Sequence, residues 1–139
     1  MNVGLLDAFA DKLNEDCQST LVRFLSLQVN NLPEYKILLR TLKSAVLECA
    51  APDNETLQGG LDILKHADLR PALADISVPV SVILGARDTL VPVNSGQNMQ
   101  ALAPEITLNV IDKAGHVPFL SHPQDVLAII SRFMDEQCS

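Results

Sequence analysis

Three cysteines in 139 residues, Cys17, Cys49 and Cys138, are odd in number and too far apart for a disulfide framework or a Cys-x-x-Cys metal pair. They read as reduced, structural residues. Long apolar runs are also missing, because charges and prolines interrupt the chain before the ~18 residues that suggest a membrane-spanning helix. The opening MNVGLLDAFADKLNED carries acids where a secretory leader needs a basic stretch, and it lacks a long apolar segment and a small-residue cleavage site. The expected location is therefore cytoplasmic. Positive charge is scarce: ten Lys and Arg against 17 Asp and Glu leave a net charge of −7. That balance repels phosphate backbones and anionic lipid, so neither nucleic acid nor a membrane is an expected partner. Repeats, low-complexity tracts and blocks of like charge are absent from the sequence.

What is present suits a folded chain of about one domain. Hydrophobic residues make up 47% and charged residues 19%, too apolar and too weakly charged for disorder. Up to about Ala74 the apolar residues recur at helical spacing: Leu5, Phe9 and Leu13, then Leu21, Phe24 and Leu25, then Tyr35, Leu38, Leu39, Leu42 and Val46. Four helices and a short fifth are expected. Asn30-Asn31 would close one of them, Pro33 would begin the next, and Ala51-Pro52-Asp53 would end that one and cap another. In the fourth helix Gly59-Gly60 implies close packing or a local break.

After Asp75 the pattern changes. Val78 to Leu84 is a short apolar run rich in β-branched residues, as in a strand covered on both faces, and Ile106 to Ile111 has the same character. Helices are expected over Val93 to Ala103 and over Gln124 to Glu136, the latter with Val126, Leu127, Ile130 and Phe133 on its packed face. Strand, helix, strand, helix predicts a right-handed βαβ unit with parallel strands, whose ligands gather at the strands' C-terminal ends. Two parallel strands alone do not make a stable sheet, so more strands or an oligomer are required.

Gly85-Ala86-Arg87-Asp88-Thr89-Leu90-Val91-Pro92 follows the first strand, and Ala114-Gly115-His116-Val117-Pro118-Phe119 follows the second. An acid and an imidazole at neighbouring strand ends suit general-base chemistry, because the carboxylate accepts from one ring nitrogen and leaves the other free. Taken singly, Asp88 also reads as a solvated loop acid capping the next helix, and His116 as a turn or core histidine. His66 reads as an exposed residue at a helix C-terminus and His122 as a capping or packing residue. Neither these nor Asp112 has metal-ligand spacing.

The segments GARDTLVP and AGHVPFLSHPQDV with a closing amphipathic helix resemble the C-terminal third of the α/β-hydrolase superfamily. VRFLSLQ at 22–28 and LQGGLDILKHADLRPAL at 57–73 further resemble the lid of the carboxylesterase family that hydrolyses the methyl ester of pimeloyl-acyl carrier protein in biotin synthesis. The resemblance implies an α/β fold with a helical lid region over 1–74 and the C-terminal part of a hydrolase core over 75–139. It implies a serine esterase needing no metal or organic cofactor, with Asp88 as triad acid and His116 as base. Phe24, Leu25, Ser26, Leu27 and Gln28, with His116, would contact substrate. Arg23, Lys36, Arg40 and Lys43 would meet the acidic carrier protein, and the last three fall at i, i+4 and i+7 on one helical face.

The sequence contains neither a G-x-S-x-G elbow nor an H-G-x-G segment, and Ser95-Gly96 follows the acid rather than preceding it. Family order is serine, acid, histidine, so the nucleophile is expected in a preceding N-terminal half of the core. The competing expectations are a non-catalytic module that binds an acyl carrier protein or dimerises, and a hydrolase of another small ester or thioester.

Overall fold

The helical first half forms the expected elements in order. In the computed structural model, which describes residues 3–29, 32, 34–48 and 52–138, these are α1 (Val3–Glu15), α2 (Cys17–Val29), α3 (Tyr35–Leu47), α4 (Asn54–His66) and the short α5 (Arg70–Leu73). The chain divides into two compact units, one of residues 1–27 with 34–68, the other of residues 28–33 with 69–139.

In the first unit Asp16 separates α1 from α2 and starts the second helix. Its carboxylate accepts from the Ser19 amide at 3.0 Å and the Ser19 hydroxyl at 2.6 Å, the arrangement of a helix N-cap. Thr20 is buried and donates its hydroxyl to the Lys12 carbonyl at 3.0 Å. Phe9 and Phe24 stack as tilted rings with centroids 5.4 Å apart. α1 packs against α4, where the Gln58 side-chain amide donates to the Ala10 carbonyl at 3.2 Å. Asp53 caps α4 as expected, accepting from the Thr56 amide at 2.7 Å.

The glycine pair differs from expectation: α4 runs unbroken through Gly59 and Gly60, and a Cβ at either would meet nothing within 4 Å. They mark neither a break nor a close contact. The expected apolar face of α3 buries Leu38 but leaves Tyr35 and Val46 exposed at its ends. Asn30, Asn31, Pro33, Cys49 and Ala51 lie outside the described residues, as does the side chain of Leu5. Cys17 and Cys138 are free thiols.

The second unit carries β1 (Ser81–Gly85), α6 (Val93–Leu102), β2 (Thr107–Ile111), α7 (Pro118–Ser121) and α8 (Pro123–Gln137). The strands pair in parallel, from Ser81 opposite Thr107 to Gly85 opposite Ile111. β1 begins three residues later than the apolar run, although the Val80 carbonyl just before it already accepts from the Thr107 amide at 2.9 Å. Ile111, Ala114 and Val126 form the core with Ile83 and Ile129 packed on it. α6 lies close on the sheet at Gly96, where a Cβ would stand 2.6 Å from Leu108 Cδ1 and 2.8 Å from Leu84 Cδ1.

Two expectations are corrected here. The strands are not covered on both faces: β1 is half-buried over most of its length, and Thr107 and Val110 of β2 are exposed. The packed stripe of α8 is also narrower than expected, centred on Val126 and Ile129, so Leu127 and Ile130 stand at its rim and are exposed. Among the described residues β1 and β2 make one two-stranded sheet in a mostly helical chain.

Candidate active site

Both strands deliver their following turns to the same end of the sheet, as parallel strands must. Backbone bonds then tie the turns together: the Ala86 amide donates to the Ile111 carbonyl at 3.0 Å and the Arg87 amide to the Ala114 carbonyl at 2.9 Å. Asp88 follows immediately, buried at 8% exposure. One carboxylate oxygen accepts from the Leu90 amide at 2.8 Å and the Val91 amide at 2.9 Å, closing a turn. The other lies 2.9 Å from His116 Nδ1.

A carboxylate oxygen is an acceptor, so this geometry matches the imidazole tautomer with its proton on Nδ1 and its lone pair on Nε2. The His116 side chain is 32% exposed against 4% for Asp88, so the acid is enclosed while the imidazole reaches solvent. Leu90, Ala114 and Val117, close to the pair in sequence, are buried as well. The solvated-cap alternative for Asp88 is set aside, because its carboxylate is spent on the turn and the imidazole, and the N-cap of α6 is Pro92.

Gln28, at the end of α2, belongs to the same unit, and its carbonyl oxygen stands 3.3 Å from where a Cβ of Gly115 would be. Phe24, Leu25, Ser26 and Leu27 belong to the other unit. Leu25 is buried, Phe24 is stacked on Phe9, and the Ser26 hydroxyl donates to the Val22 carbonyl at 2.8 Å. The basic residues are also in that unit: Arg23, Lys36 and Arg40 are exposed and Lys43 is half-buried. Lys36 Nζ lies 5.9 Å from the Tyr35 ring centroid.

The other histidines are occupied locally. The exposed ring of His66 pairs its Nδ1 with the Asp62 carbonyl at 3.0 Å, and His122 Nδ1 pairs with the Ser121 hydroxyl at 2.9 Å. Among the described residues no group of three His, Cys, Asp or Glu could hold a metal ion. An open cleft of about 420 Å³ lies over Ile111, Asp112, Lys113, His122 and Asp125, but neither Asp88 nor His116 lines it. Sequence reasoning missed the amides of Leu90 and Val91. Their signal was an Asp at the head of a loop that ends at Pro92, a place where an aspartate side chain bonds the backbone two residues on.

The family model described as alpha/beta hydrolase fold matches residues 12–123. The chain belongs to the α/β-hydrolase family. It is 46% identical over 123 residues to a pimeloyl-[acyl-carrier protein] methyl ester esterase of Pectobacterium carotovorum subsp. carotovorum, covering 86% of this chain and 47% of that protein. A Serratia marcescens protein of the same name is 38% identical over 130 residues, covering 94% and 51%. In fold, the chain is similar to an esterase from Exiguobacterium antarcticum, with a TM-score of 0.79 at 22% identity over 97% of this chain and 49% of that one. It thus spans about half the length of the curated relatives it matches, and its two-stranded sheet is an incomplete α/β-hydrolase core. No helix among the described residues is long and apolar enough to cross a membrane.

Proposed function

We propose that this chain supplies the acid and base of a serine carboxylesterase acting on the methyl ester of pimeloyl-acyl carrier protein. The observation that carries this reading is the enclosed Asp88–His116 pair at the C-terminal ends of adjacent parallel strands, in a chain similar to esterases of that name. Asp88 holds the imidazole with Nε2 outward. Nε2 takes the proton of a serine hydroxyl as it attacks the ester carbonyl, then returns it to the departing methanol. A water activated by the same nitrogen hydrolyses the acyl-enzyme.

The serine and half the oxyanion hole would come from the N-terminal half of a hydrolase core, since this sequence holds neither a G-x-S-x-G nor an H-G-x-G segment. Phe24 to Gln28 would line the acyl chain's path. Arg23, Lys36, Arg40 and Lys43 would meet the acidic carrier and the phosphate of its prosthetic arm, a role favoured by the exposure of the first three.

The test joins this chain to the N-terminal half of the Pectobacterium relative at the matching position and measures methanol release from methyl pimeloyl-acyl carrier protein. Turnover that falls by at least ~10³-fold in His116→Ala supports the reading. A folded chimera without turnover overturns it, and equal preference for simple short-chain esters removes the carrier-linked substrate. Carrier binding by the present chain without turnover in the chimera would favour the non-catalytic module.

A further inference from the structure

Gly85 closes β1 and stands three residues before the buried acid. Its position is crowded by backbone rather than by side chains. A Cβ there would fall inside contact distance of the Gly115 and Ala114 carbonyl oxygens and 2.6 Å from the Ala114 carbonyl carbon. A flexible side-chain tip could swing away, but two consecutive peptide groups of the histidine-bearing turn cannot move without taking His116 with them. One of these carbonyls is in use, because Ala114 O accepts from the Arg87 amide at 2.9 Å. Gly85 O in turn accepts from the Asp88 amide at 3.1 Å.

We propose that Gly85 is a positioning residue: its missing side chain lets the turn after β2 settle onto the end of β1, and that contact sets the Asp88–His116 hydrogen bond. Relieving the clash from even one methyl group needs a displacement of about 1 Å. That takes the Arg87–Ala114 bond beyond hydrogen-bond range and carries His116 Nδ1 away from the carboxylate. Gly59 and Gly60 provide the contrast within the same chain, since a Cβ at either meets nothing within 4 Å.

The inference rests on the proposed role of the Asp88–His116 pair only for its catalytic consequence, which is a drop of about 10²-fold in kcat with KM little changed. Its own test reads geometry. In the full 139-residue chain, the ring nitrogen shifts of His116 are recorded by NMR at a pH where the imidazole is neutral, with His116→Gln assigning the signals. The expected result is protonated Nδ1 in the unmodified chain and in Gly60→Ala, and a change to protonated Nε2 in Gly85→Ala with far-UV circular dichroism retained.

A folded Gly85→Ala that keeps protonated Nδ1 overturns the proposal. If that variant does not fold, amide exchange in the unmodified chain decides. An Arg87 amide as slow as those of the β1–β2 ladder supports the stitched turns, and one as fast as an open loop refutes them. A chimera without esterase activity would remove the proposed function while leaving this tautomer result standing.

Discussion

Asp88 performs two tasks with two oxygens, one closing its own turn and one orienting an imidazole 28 residues away. The tasks separate by substitution. Asp88→Asn keeps an acceptor for the Leu90 and Val91 amides but turns an N–H toward His116. It should leave stability nearly unchanged while lowering kcat of the completed esterase by ~10⁴-fold, read from turnover and urea unfolding on one preparation. Asp88→Ala strands two amides and should cost about 1–3 kcal/mol in urea unfolding. The residue types were legible in the sequence, because an acid after one apolar run and a histidine after the next stand where parallel strands place ligands. The enclosure of the acid was not legible. It depends on backbone bonds between Ala86 and Ile111 and between Arg87 and Ala114, and a carbonyl has no sequence signature.

Among the elements, α4 shows how local chemistry governs a helix with no buried residue. The Thr56 amide holds the Asp53 carboxyl below its ordinary value of 3.8. A carboxyl with a lowered folded pKa contributes stability that is full above the unfolded value and lost as pH falls through the folded one. Asp53→Ala should therefore lower helix content near neutral pH, and the two proteins should converge in far-UV circular dichroism once the pH is well below 3.8. In the same helix Gly59→Ala and Gly60→Ala should each stabilise by about 1 kcal/mol, since the added methyl meets open space. Gly96→Ala should do the opposite and raise unfolding rates by overpacking Leu84 and Leu108. Helix order and strand direction followed from apolar spacing, but burial on each face did not. Spacing defines a stripe, and the neighbours that cover it decide its width, as Leu127 and Ile130 of α8 show.

The whole molecule combines net charge −7 with exposed cations at Arg23, Lys36 and Arg40. If the carrier docks there, Lys36→Glu with Arg40→Glu should weaken binding to an acyl carrier protein at least ~10-fold at low salt. The loss should shrink as salt screens the unmodified contact, measured by titration calorimetry at two ionic strengths. The molecule also exposes an apolar stripe on α8, with Leu127 55%, Ile130 46% and Met134 54% accessible. The edge of β1 is a second unfinished surface. Val80 O and the Ala86 amide bond to β2, so by strand alternation Ser81 and Ile83 aim their N–H and C=O groups the other way. Among the described residues no strand receives them. Inside a cell, a bare parallel edge and exposed leucine and isoleucine are what quality-control machinery recognises as unfinished. The chain's abundance should then be governed by its lifetime: pulse–chase would find rapid turnover when it is made alone and persistence when a hydrolase N-terminal half is co-produced, so that supply of the complement sets how much survives.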